Sequence, residues 1–141
     1  MVNGLYTAIA IRLEELFGKP VIYFDKLPQG FRGPCFFVKL LNAKQELRIH
    51  NRYEVSLSYD IHYFPSEHKN YVAEINNAAY KMLFGLEYVN RDGFLTRGTD
   101  MSYEVQEDVL HFFVTYRFFV LMKTEAAPLM EKLYQQYKYK E

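Results

Sequence analysis

The chain has 141 residues, the size of one domain, and a domain near this length buries roughly 70% of the surface its unfolded chain exposes. Half of the residues are hydrophobic, which excludes a disordered chain, and 24% are charged, an ordinary share for a folded domain. Seventeen Lys and Arg balance seventeen Asp and Glu, and that zero formal charge argues against avid binding to a polyanion, because phosphate neutralisation supplies most of such affinity.

The elements follow from switches in apolar period. Asn3 is placed to cap a first helix running to about Phe17, with Leu5, Ala8, Ile9, Leu13 and Leu16 as its apolar stripe and Gly18 and Pro20 as its stop. Val21 to Phe24 reads as a short strand, and Asp25 to Pro34, with two Pro and two Gly, as a loop. Cys35 to Leu41 is apolar at nearly every position, the pattern of a strand covered on both faces. From Tyr53 to Tyr63 the alternation is clean: Tyr53, Val55, Leu57, Tyr59, Ile61 and Tyr63 face one way, and Glu54, Ser56, Ser58, Asp60 and His62 the other. A second helix is expected from Ser66 or Glu67 to Leu86, burying Val72, Ile75, Ala79, Met82, Leu83 and Leu86.

Asn90 to Gly93 reads as a turn, followed by strands over 94–105 and 109–122 joined at Gln106-Glu107-Asp108. The last strand sets Leu110, Phe112, Val114, Tyr116, Phe118 and Val120 on one face and His111, Phe113, Thr115, Arg117, Phe119 and Leu121 on the other. A final helix is expected over 127–137. This order makes the fold class α+β, an antiparallel or mixed β-sheet with helices packed mainly on one face, in a single domain over 1–141.

Helices on one face leave Phe113, Phe119 and Leu121 without cover, in a chain of 13 Tyr and 12 Phe. Large exposed apolar patches mark interaction surfaces, and aromatic residues concentrate at interface centres. The expectation is that the second sheet face, or a strand edge, packs on a neighbouring subunit.

Chemistry is sparse. Cys35 is the one cysteine and reads as a small buried hydrophobe. No Gly-x-Ser-x-Gly, Walker-type or dinucleotide-binding glycine motif occurs, and the glycines of Gln29 to Pro34 open a strand, where a phosphate cradle needs the start of a helix. Asp60 and His62 share a strand face with the spacing of two metal ligands, but nothing in the sequence fixes the rest of a site, and an exposed polar face is the better reading. Glu104, Glu107 and Asp108 surround a turn, where solvation is their natural role. Gly98 suggests a bulge or a close backbone approach, and Arg97 an ion pair with a carboxylate, either local, the better reading, or across a subunit boundary. No catalytic, cofactor or metal residue is assigned. The first residues carry no basic region followed by a long apolar stretch, and no run approaches the length of a membrane helix, which points to assembly in a cytoplasm.

Several segments, in order, carry a resemblance: Pro28-Gln29-Gly30-Phe31, Pro34-Cys35-Phe36-Phe37, Asn51-Arg52-Tyr53, Asp60-Ile61-His62-Tyr63-Phe64-Pro65, Arg97-Gly98-Thr99-Asp100-Met101 and Val109-Leu110-His111-Phe112-Phe113-Val114. From Leu5 to Met122 the chain resembles the small tail terminator proteins of long-tailed phages and prophages of Gram-positive bacteria. The resemblance implies a non-enzymatic virion or tail-like-particle protein, forming a ring (a hexamer in most such proteins) on the head-proximal end of the tail tube. The ring would stop tube growth and dock the head–tail connector or neck, with no cofactor, no membrane and DNA only transiently in the lumen. Zero net charge is compatible with such a lumen. Loop chemistry selects Gln29, Gly30, Phe31, Arg32, Arg97, Thr99 and Asp100 as candidate subunit or tube contacts, and strand patterning adds Phe113 and Phe119. The alternatives are a head–tail joining or tail completion neck protein and, from a different class, a small-molecule binding module or small enzyme with the Tyr-rich strand face lining its pocket.

Overall fold

A computed structural model describes residues 2–66 and 71–122. The described elements are helix α1 (Val2–Phe17), strands β1 (Val21–Phe24), β2 (Cys35–Ile49) and β3 (Arg52–Phe64), helix α2 (Tyr71–Gly85), and strands β4 (Tyr88–Arg91), β5 (Phe94–Gln106) and β6 (Val109–Leu121). They form a strongly curled six-stranded sheet in the order β1-β2-β3-β6-β5-β4. Only β1 and β2 run parallel; every other neighbouring pair is antiparallel. The fold is α+β with a mixed sheet. The expected helix over 127–137, and residues 67–70 at the expected start of the second helix, lie outside the described residues.

One apolar cluster lies between the two helices and one face of the sheet. α1 contributes Leu5, Ala8, Ile9 and Leu13, and α2 contributes Ile75, Ala78, Ala79 and Met82. The sheet answers with Val55, Leu57, Tyr59, Ile61 and Tyr63 of β3 and with Leu110, Phe112, Val114, Tyr116 and Phe118 of β6. Each fully buried side chain of this size contributes about 1.5–3 kcal/mol. The Tyr116 hydroxyl, deep in the core, donates to the Leu86 carbonyl at 2.7 Å, so its burial leaves no orphan donor.

Three hairpins set the strand registers, each with residues at positive φ: His50 between β2 and β3, Asp92 and Gly93 between β4 and β5, and Glu107 and Asp108 between β5 and β6. In the last two, positive φ at both central positions gives the turn whose twist matches that of paired strands. Asn90 Oδ1 accepts the Gly93 N–H at 2.8 Å, which locks the second hairpin.

Four sequence expectations need correction. β2 does not end at Leu41: it runs on to Ile49 as the partner of β3, and beyond Leu40 it is almost wholly exposed, so it is not covered on both faces. Asn90 and Arg91, read as turn, belong to β4, a short strand on β5 whose Val89 is buried. Val72 is exposed on α2, where Ala78 and Gly85 take buried places instead. α1 starts at Val2, so Asn3 lies inside its first turn and not ahead of it.

Candidate functional site

Phe113 and Phe119 lie on the sheet face turned away from the helices, Arg97, Thr99 and Asp100 on β5, and Gln29, Gly30, Phe31 and Arg32 in the loop between β1 and β2. The antiparallel registers align His62 with Phe37 of β2 and His111 of β6, and His111 in turn with Glu104 of β5. One step along, Asp60 aligns with Lys39 and Phe113, and Phe113 with Ser102. Cross-strand partners project to the same side. The face therefore presents a row of ring, imidazole, imidazole and carboxylate beside a row of lysine, carboxylate, ring and hydroxyl.

This face is partly closed by the chain itself. The 25–34 loop folds over its end, and the Phe31 ring meets Phe64 edge-on at a centroid distance of 4.6 Å. Phe37 meets the His62 ring edge-on at 5.3 Å. Phe31, Phe37, Phe64 and Phe113 are consequently half-buried, while Gln29, Gly30 and Arg32 stand exposed at the loop's outer side.

At the centre Asp60, 7% exposed, has His62 Nε2 2.9 Å and His111 Nδ1 3.2 Å from the same oxygen, Oδ2. His111 hydrogen-bonds to that oxygen; His62 stands near it but off the line of a hydrogen bond, so His62 Nε2 is buried without a partner, as is Asp60 Oδ1. Burial pushes the Asp60 carboxyl up, but the two imidazoles outweigh it and hold the group below its ordinary value. Sequence pattern had placed Asp60 and His62 side by side; His111, some fifty residues on, joins them only through the β3–β6 register.

The remaining candidates divide between two places. Thr99 and Asp100 sit at a bulge in β5, where the register against β6 shifts between Thr99 and Ser102. Arg117 Nη1 donates to Thr99 Oγ1 at 2.5 Å and Nη2 to Asp100 at 2.9 Å. Arg97 pairs with Glu87 at 3.3 Å. Gly98 marks a close approach: a Cβ there would lie 2.8 Å from Val114 Cγ2 and 3.1 Å from the Leu86 carbonyl oxygen. At the far end of the sheet Phe119 is 50% exposed, with the Arg52 guanidinium 3.9 Å above its ring. Beside it, Ile49, Arg52 and Leu121 form one cross-strand row, and Leu121 is 69% exposed. Sequence reasoning named Phe119 but missed Ile49, because β2 was expected to end before it.

Further apolar residues lie bare elsewhere. The Tyr80 and Phe84 rings meet at a tilt, 5.1 Å apart, on the outward side of α2, and Phe94 and Leu95 stand exposed where β5 leaves its hairpin. The Tyr-rich face of β3, expected to line a pocket in the small-molecule reading, is core instead: Tyr59 is fully buried and Tyr63 nearly so, because α1 and α2 cover that face. The groove between α1 and β1, about 450 Å³, is open and lined by Tyr6, Ala10, Ile11 and Phe24, with Glu14 and Asp25 as its charged members.

A family model of phage tail terminator proteins matches residues 4–128. The chain belongs to the phage tail terminator family. Its role is structural, to end the tail tube, and the terminator is a component of the phage tail and not an enzyme. No curated protein matches it. One solved structure is similar over 89% of the terminator and 99% of its own chain, at a TM-score of 0.43 and 8% identity, too loose a likeness to argue from. Among the described residues no helix is long and apolar enough to cross a membrane.

Proposed function

We propose that copies of this terminator close into a ring, six being the expected number, that caps the head-proximal end of the tail tube and offers the head or neck a docking surface. The supporting observation is the bare apolar end of the sheet. Ile49, Phe119 and Leu121 stand together on the face the helices leave open, among the charges of Arg48, Glu46, Glu54 and Arg52. An apolar centre with a charged surround is the anatomy of a protein interface, and a head-to-tail interface generates a closed ring when the rotation between neighbours permits. The exposed loop residues Gln29, Gly30 and Arg32, and the Thr99–Asp100 bulge, supply the further contacts of the ring with the tube or neck. Zero net charge lets DNA pass the lumen without being gripped.

The test is electron microscopy of the purified protein mixed with its tail tubes, together with particles assembled in its absence. A closed ring at one tube end, and overlong tubes without the protein, are expected. Normal-length tails that fail to join heads would instead assign it to head–tail joining.

A further inference from the structure

We propose that Asp60, His62 and His111 form a binding site for a divalent transition-metal ion, with zinc as the best-matched metal. The inference does not depend on the ring. Two imidazoles and one carboxylate are a donor set suited to borderline metals. Their ligand atoms lie within 4.8 Å of one another, on two strands held in fixed register. Ligands of a tetrahedral ion stand about 3.3 Å apart, given metal–ligand bonds of roughly 2.0–2.1 Å. The 2.9 Å and 3.2 Å separations from Asp60 Oδ2 already approach that value.

The decisive observation is the unmet demand at the site. Asp60 is more than nine-tenths buried, yet its Oδ1 has no partner, and neither has the buried Nε2 of His62. A buried polar atom without a partner costs free energy, and two imidazoles here compete for one oxygen. Lys39, the cross-strand neighbour of Asp60, makes no ion pair with it among the described residues. A cation between the three groups gives the free nitrogen a partner, and reaches the free oxygen when the carboxylate binds through both of its oxygens. Water would complete the coordination, since Glu104, in register with His111, lies outside the cluster and accepts a hydrogen bond from Gln106 at 2.6 Å. The half-buried rings of Phe37 and Phe113 flank the cluster and limit its exposure to solvent. An ion here would rivet β3 to β6 on the face that the helices do not cover.

The experiment is a calorimetric titration of the tag-free, chelator-stripped chain with zinc chloride at neutral pH, beside the cobalt(II) absorption spectrum of the same protein. One zinc ion per chain is expected, along with a rise in melting temperature on zinc addition and cobalt bands typical of a four- or five-coordinate site. His62→Ala and His111→Ala should each weaken zinc binding by at least about tenfold, since even hydrogen-bond partners of metal ligands are worth that much. His50→Ala, which alters the exposed turn between β2 and β3, should bind as the unaltered chain does. A chain that takes up no zinc and leaves cobalt with the spectrum of its aqua ion overturns the proposal, as does equal binding by the folded His62 and His111 variants. Should those two variants fail to fold, the cobalt spectrum of the unaltered protein decides.

Discussion

Gly33 has no room for a side chain: a Cβ there would lie 2.0 Å from the carbonyl oxygen of Pro65, a backbone atom that cannot swing aside. The 25–34 loop is thereby laid directly on the chain leaving β3. Gly33→Ala should cost roughly 1–3 kcal/mol, the range for forced overpacking, visible as a lower midpoint in urea unfolding. The same loop separates two roles that its sequence ran together. Phe31 is half-buried against Phe64, so Phe31→Ala removes an aromatic pair worth about 0.5–1.5 kcal/mol and should lower stability. Arg32 is exposed, and Arg32→Ala should leave the melting temperature unchanged while weakening co-sedimentation with tail tubes. If both variants lose only stability, the loop is a structural strap and its assignment to tube contact fails.

Among the described residues, the Glu74 carboxylate, in the first turn of α2, ties that helix to the end of β3. It accepts the Tyr63 hydroxyl at 2.5 Å and the Ser66 amide at 2.9 Å. Glu74→Ala strands the Tyr63 and Ser66 hydroxyls and the Ser66 amide at once, and at about 1–3 kcal/mol for an unsatisfied buried group the loss should appear in thermal unfolding, with faster amide exchange at the start of α2. Elements of this kind were readable where one face is buried. The period-two pattern of β3 and β6 assigned their inward faces correctly, since alternation survives when only one side meets the core. The far half of β2 was only weakly legible: Ala43, Leu47 and Ile49 alternate with Asn42, Lys44, Glu46 and Arg48, but Gln45 breaks the row, and the segment is exposed strand held by its pairing with β3 across a hairpin. The four residues of β4 are too short to carry a period, and they are held by β5. The Asp60 cluster was half legible. Its i and i+2 members share a strand, whereas His111 arrives through long-range register, which no local window contains.

The whole molecule combines a closed core with an open exterior. Burial pushes the phenols of Tyr59, Tyr63 and Tyr116 well above their ordinary value of 10.0, helped in Tyr63 by its bond to Glu74. The unfolded chain releases those protons near pH 10 while the folded chain retains them. Stability is therefore fully present below that pH and falls as pH rises past it, so urea midpoints should hold steady at neutral pH and drop in strong alkali. Tyr116→Phe, at the most deeply buried of the three, should shallow that drop. The exterior obeys another logic. Nothing in the core requires Leu121, at 69% exposure, or Phe119, yet hydrocarbon of this size left in water forgoes about 1.5–3 kcal/mol per side chain. A partner surface recovers that free energy, whereas a lone chain does not. Leu121→Asp should consequently leave the circular dichroism spectrum and melting temperature of the monomer intact, because the side chain touches no core residue that depends on it. Its effect should fall on assembly. A central interface residue carries 2 kcal/mol or more, so association should weaken by roughly thirtyfold, read by light scattering across concentration and by the length distribution of tails made with the variant. Unaltered association and normal tails with Leu121→Asp would move the subunit interface away from this end of the sheet, to the outward side of α2 or the Phe94–Leu95 corner.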